Sequence, residues 1–115
     1  MEGIDFMKLI VAIVQDEDAN RLVSALMDKN FGVTKLATTG GFLRAGNTTL
    51  ISGVEDDRLQ EALEIIEKIC KSRQQVTTSS APLGGSNGVY VPYPVHVTVG
   101  GATVFVLEVA QFLKV

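Results

Sequence analysis

Hydrophobic and polar positions along the chain mark out most of its elements. Met7 to Val14 (MKLIVAIV) is a continuous apolar run closed by Gln15-Asp16, the length and composition of a buried central strand. Beyond it the period changes. Leu22, Val23, Leu26 and Met27 fall at helical spacing, Asp16 or Asp18 is placed to cap the helix start, and Asn30 stands where the helix would stop. Phe31 to Thr38 reads as a strand with Phe31, Val33 and Lys35 on one face, and Thr48 to Val54 reads as a strand running back. Glu55-Asp56-Asp57 then lead a second amphipathic helix carried by Leu59, Ala62, Leu63, Ile66 and Ile69. Lys68, Lys71 and Arg73 close it, the charge order a helix dipole favours.

Residues 74 to 90 lose all periodicity. Ser, Thr, Gly, Asn and Pro dominate, so the stretch reads as a long loop. Periodicity returns in VPYPVHVTV, where Val95, Val97 and Val99 alternate with His96 and Thr98. Gly100-Gly101 is a two-residue hairpin signal, and Ala102 to Val109 is the expected return strand. The order β-α-β-β-α-β is the split βαβ pattern, with its last strand elaborated into a C-terminal β-hairpin. It predicts an α+β chain of one domain over residues 1 to 115, an antiparallel sheet with two helices on one face.

That arrangement leaves a difficulty. LIVAIV, TTLISGV and ATVFVLEV are apolar on both alternating faces, yet helices cover only one. The other face would be a large exposed apolar patch, so the pattern predicts an oligomer whose bare sheets pack together. A closed ring of three would create three equivalent clefts.

Composition narrows the chemistry. The chain has 115 residues, 46% of them hydrophobic, with a net charge of −3. No basic stripe is present to bind a nucleic acid polymer. No apolar run reaches the roughly 18 residues a membrane-spanning helix needs. The acidic start lacks the basic region of a signal peptide, and the single Cys70 has no partner for an internal disulfide. These features predict a cytoplasmic protein.

One stretch carries candidate binding chemistry: TKLATTGGFLRAGNTT, residues 34 to 49. Thr34, Thr38 and Thr39 bring hydroxyls, and Gly40 and Gly41 leave backbone N–H groups accessible to an anion. Arg44 can add a charge-assisted bond to phosphate, Phe42 can stack on a base, and Asn47 can pair donor and acceptor with an adenine edge. The plainer reading is a long hairpin connection. The Gly/Ser stretch from Ala81 to Gly88 is either a flexible link or a segment that orders over a ligand. His96 reads as a strand residue, Cys70 as a small buried hydrophobe, and Glu55 to Asp57 as a helix start rather than a metal cluster. No nucleophile–base set can be assembled around the one histidine, so no enzyme is expected and no metal or cofactor is called for.

Three segments bring a family to mind: MKLIVAIVQDEDANRL, TKLATTGGFLRAGNTTLISGVEDDR and PLGGSNGVYVPYPVHVTVGGATVFVLEV. Together they resemble the PstA/DarA cyclic di-AMP receptors, P-II-like signal transduction proteins of Firmicutes, over residues 7 to about 112. The resemblance implies a ferredoxin-like fold, a homotrimer, and cyclic di-AMP in clefts between subunits. The ligand would lie at the base of two long loops, residues 37 to 48 and 73 to 92. It places Asn30, Thr34, Phe42, Leu43, Asn47, Gly53 and Phe105 at the ligand, with Gly40 and Gly41 offering backbone groups to phosphate. Two positions depart from the family pattern. Gly32 stands where relatives carry Arg, and Lys114 stands where they place Gln in a Phe-His-Gln-Phe ending. Signalling would follow from ligand-dependent rearrangement of the loops, read by a downstream protein the sequence does not name. The alternatives are a P-II-like sensor of ATP or ADP acting on a transporter or enzyme, and a phosphodiesterase using Asp16, Glu55 to Asp57 or His96.

Overall fold

A computed structural model describes residues 7–36, 46–82 and 90–115. Strand β1 runs Met7–Gln15, helix α1 Asp16–Asp28, strand β2 Thr34–Leu36 and strand β3 Asn47–Glu55. A 3-10 turn, Asp56–Arg58, leads into helix α2, Leu59–Cys70. Strands β4 (Arg73–Pro82), β5 (Tyr90–Val99) and β6 (Ala102–Glu108) complete the chain. The main sheet is antiparallel with order β2-β3-β1-β6, compatible with a ferredoxin-like fold.

The alternation of β1 sorts its side chains between two environments. Ile10, Ala12 and Val14 point toward the helices and are buried. They join Leu50 and Val54 of β3, Leu22 and Leu26 of α1, and Ala62, Ile66 and Cys70 of α2 in one core. Burial of these side chains against one sheet face is the main stabilising term for the protomer. Leu9, Val11 and Ile13 point the other way and are only partly covered.

Helix α1 begins at Asp16, six residues before Leu22, the first position of its apolar stripe. Asp16 and Asp18 are helical residues rather than caps, because Gln15 occupies the cap position and makes no side-chain cap bond. The helix ends as expected at Asn30. Its φ of 67° is left-handed, and the turn is closed by Asn30 N–H donating to Met27 O at 2.9 Å and Phe31 N–H to Leu26 O at 3.0 Å. This is a Schellman closure, with Phe31 returning to the core beside Leu26. That return leaves residues 31 to 33 outside the sheet, so β2 begins at Thr34, three residues later than the expected run from Phe31 to Thr38, whose last two residues lie outside the described ones. The Arg58 guanidinium lies 4.0 Å from the Phe31 ring centroid and donates to Lys29 O at 2.7 Å, fixing this corner.

The C-terminal third departs most from the sequence pattern. Residues expected as a loop form β4, which pairs with β5 over ten positions, from Arg73↔Val99 to Pro82↔Tyr90. The expected hairpin of β5 with β6 does not form. Instead β6 pairs with β1, Val11 opposite Phe105. Gly100-Gly101 is therefore a crossing turn that carries the chain from the β4–β5 arm into the main sheet. Both glycines have positive φ, +85° and +93°, and a Cβ on Gly100 would lie 2.6 Å from Lys71 O. No other residue type fits that turn without displacing backbone. Among the described residues the arm pairs with no strand but its own partner, and the molecule measures 72 Å along its long axis against 30 and 20 Å.

Candidate functional site

Strand register places the sequence-predicted residues. On β3 the odd positions share a face with Leu9, Val11 and Ile13, because Gly53 pairs with Leu9, Ile51 with Val11, and Thr49 with Ile13. On β6 the same face carries Phe105 and Leu107, paired with Val11 and Leu9. On β2 it carries Thr34 and Leu36, paired with Ile51 and Thr49. Thr34, Asn47, Gly53 and Phe105 thus all belong to the face that no helix covers. Its exposed apolar side chains sit on the two edge strands: Phe105 is 54% exposed and Leu107 48% on β6, and Leu36 41% on β2. A monomer rarely leaves such a contiguous patch to water.

The four residues share a face but not a pocket. Thr34, Ile51, Val11 and Phe105 lie in one row across the sheet, with Thr34 on one edge strand and Phe105 on the other. At roughly 4.8 Å per strand step, their backbones stand about 14 Å apart. Asn47 and Gly53 occupy opposite ends of β3, about 20 Å apart at the usual rise per residue. One corner is gathered more closely. Ser52 hydroxyl donates to Gly32 O at 2.6 Å, which brings Gly32, and Thr34 two residues on, beside Gly53. Asn30 lies exposed at the same end of the chain segment, where its left-handed backbone already has a structural use in closing α1. A Cβ at Gly32 would meet nothing within 4 Å, so the corner has room for a side chain there.

Lys114 is exposed in the irregular tail that follows β6. Gly40, Gly41, Phe42 and Leu43 lie outside the described residues.

Asn47 is held firmly. Its cross-strand partner is Gln15. On one side Gly46 O accepts from Asp16 N–H at 2.8 Å, and on the other the Thr48 hydroxyl donates to the Asp16 carboxylate. Sequence reading treated Asp16 and Asp18 as interchangeable caps and missed this contact. It also missed Asp18, which is fully buried and paired with Arg73 and Arg21 at 2.8 and 2.9 Å. The only sequence signal for either was an acidic trio at a helix start, which the dipole already explains.

Cys70 is 1% exposed, and its thiol is pushed up to about 11, first by burial and then by the nearby Asp18 carboxylate. Such a thiol stays protonated and unreactive at neutral pH. His96 is exposed on β5 opposite Val76. Asp56 receives Lys8 Nζ at 2.9 Å, so that carboxylate serves an ion pair. Among the described residues no group of three His, Cys, Asp or Glu could hold a metal ion. No helix among them is long and apolar enough to cross a membrane. A groove of about 430 Å³ between α2 and β6 is lined by Leu63, Ile66, Glu67 and Val104, and contains none of the predicted ligand residues.

Known proteins place this architecture. A crystal structure of a functionally unknown protein from Pediococcus pentosaceus is 46% identical, with a TM-score of 0.77, covering 96% of this chain and 99% of that one. A DUF3240 family protein from Shewanella baltica shares the fold at 10% identity, with a TM-score of 0.57 and coverage of 96% and 97%. The family model described as cyclic-di-AMP receptor matches residues 7–115, almost the whole chain. By that match the chain belongs to the cyclic-di-AMP receptor family.

Proposed function

We propose that the chain is a non-enzymatic cytoplasmic receptor, a single P-II-like domain that assembles as a homotrimer and binds cyclic di-AMP in the clefts between protomers. The observation that carries this reading is the distribution of Thr34, Asn47, Gly53 and Phe105. They share the bare sheet face yet are too widely spread for one small ligand to meet them all on one chain. Packing several such faces together would bring an edge carrying Phe105 against an edge carrying Thr34. The same packing removes the exposed apolar patch from water.

In this arrangement Phe42 stacks on an adenine, and Asn47 pairs with its polar edge. Thr34 and the Gly40-Gly41 backbone hold a phosphate. Leu43 and Phe105 contribute apolar contact, Gly53 allows close approach, and Asn30 and Lys114 supply peripheral polar groups. Signalling follows if the bound ligand favours one arrangement of the loop at 37–48 and of the arm segment at 73–92 over another.

Calorimetric titration combined with sedimentation tests the reading. Cyclic di-AMP is expected to bind a trimer at one site per protomer, with ATP and ADP binding far more weakly. The double variant Thr34→Ala, Asn47→Ala is expected to weaken binding about 100-fold, losing two polar contacts at roughly 1–1.5 kcal/mol each. A monomer at micromolar concentration, or undiminished binding by that variant, would remove it.

A further inference from the structure

We infer that the first turn of α1 couples the start of β3, at Gly46 to Thr48, to the root of the β4–β5 arm, so that a change at either is felt at the other. The inference rests on the receptor reading for its signalling meaning, but its geometry stands by itself.

Three residues within one short segment hold two otherwise separate parts of the chain. Asp16 holds the start of β3: its N–H donates to Gly46 O at 2.8 Å, and its carboxylate accepts from the Thr48 hydroxyl. These two contacts bracket Asn47. Gln15, the cross-strand partner of Asn47, turns its side chain to the arm root, where Oε1 accepts from Gly100 N–H at 2.7 Å. Asp18 holds the other arm strand. Its Oδ1 accepts from Arg73 Nη2 at 2.8 Å and its Oδ2 from Arg73 Nη1 at 3.3 Å. Arg21 adds a bond to Asp18 at 2.9 Å and a second to Ile69 O at 3.1 Å.

Burial makes the Asp18 contact hard to give up. Among the described residues, a fully buried carboxylate that lost Arg73 would keep only the half-exposed Arg21 as a cation, and removing one partner of a buried pair is strongly unfavourable. Arg73 therefore moves with α1 rather than away from it. Asp16 and Asp18 lie in one helical turn, so a displacement at Gly46 and Thr48 is passed to Arg73 as a rigid-body shift. The arm has no other sheet to brace it, and its second root is the Gly100-Gly101 turn, joined to the domain through Gln15 and through Gly101 N–H donating to Cys70 O. Its direction is thus set at its root. Because coupling free energies are reciprocal, a partner seated on the arm would alter ligand affinity by the same factor that ligand alters partner affinity.

Residue-resolved amide exchange on the full chain tests this without ligand. Arg73→Gln is expected to speed exchange of the Asp16 amide, the donor to Gly46 O, by about fivefold relative to wild type. The central-strand amides of Ala12 and Leu50 should not change. In the opposite direction, Thr48→Val should speed exchange of the Gly100 and Gly101 amides. Unchanged rates at those reporter sites in both variants would overturn the coupling, as would an acceleration that Ala12 and Leu50 share. Calorimetry with cyclic di-AMP then separates the two proposals. Arg73→Gln, at a residue outside the proposed set of ligand contacts, should change affinity by about threefold or more. Absence of binding to wild type would sink the receptor reading while the exchange result still decides the coupling. Unaltered affinity with unaltered exchange would sink the coupling and leave the receptor reading standing.

Discussion

The two faces of the main sheet are built from the same strands and nearly the same residue types, yet they have opposite fates. Beneath the helices, Ile10, Ala12 and Val14 of β1 are at most 2% exposed. One residue over, Leu9, Val11 and Ile13 are equally apolar but only partly buried. On the helix side, polar atoms that must be buried are satisfied within the chain, as where the Ser52 hydroxyl donates to Gly32 O. On the bare side, Thr34 and Leu36 lie on one edge strand, Phe105 and Leu107 on the other, and Asn47 at a strand end, with Val11 and Ile51 between them. The covered face closes the protomer. On the proposed reading, the bare face is the one that meets other copies and the ligand held between them.

Substitutions that act on one face and spare the other can break this contrast. The largest effect is expected on the covered side. Leu22→Ala removes a completely buried side chain and should cost about 2–5 kcal/mol of protomer stability, measured by denaturant unfolding. An equal loss from Ile51→Ala on the bare face of a dissociated protomer would show that the two faces do not differ. Leu107→Glu should do the reverse. It leaves protomer unfolding almost unchanged, dissociates the oligomer in sedimentation, and weakens cyclic di-AMP binding about 100-fold, since a carboxylate cannot be buried unpaired.

The dryness of the covered face can also be read by pH. The Cys70 thiol is raised from 9.0 to about 11 in the folded chain, so the folded state keeps its proton where the unfolded state has lost it. Its contribution is intact below pH 9 and disappears as pH climbs toward 11, a loss of about 2 kcal/mol. The difference in unfolding free energy between wild type and Cys70→Ala should fall across that window. A flat difference would mean that water reaches the thiol. The smallest effect sharpens the margin of the bare face. Gly32→Arg points a cation into open space beside Thr34, and should tighten cyclic di-AMP binding by about fivefold, near 1 kcal/mol, without lowering the unfolding midpoint. Unchanged or weaker binding would show that position 32 does not face the ligand.

Much of this was readable from residue order. Strand β1, both helices, the stop at Asn30 and the pairing of a bare apolar face with a covered one follow from periods of two and 3.6, because side-chain direction along one element is a local property. The candidate residues Thr34, Asn47, Gly53 and Phe105 came in whole or in part from the family resemblance, and it is the strand register that sets them on one face. Local pattern also marked Gly100-Gly101 as a reversal, since consecutive positive φ angles are tolerated only by residues such as glycine.

What a reversal joins is a different matter. Residues 73 to 82 are polar on both sides and carry no strand period, so nothing local identifies them as the partner of β5. Backbone hydrogen bonds are the same for every residue, and the choice between β4–β5 pairing and a β5–β6 hairpin is made by which edges the finished sheet offers. Here β1 takes β6, and β5 is left to pair with β4. The Asp18–Arg73 ion pair spans 55 positions for the same reason: each charge looked like an ordinary helix-end residue until the packed core brought the two together. Periodicity along single elements was therefore determined by the sequence alone. Partner choice between elements was decided only by the tertiary structure, because it depends on a sum of long-range contacts that no single segment contains.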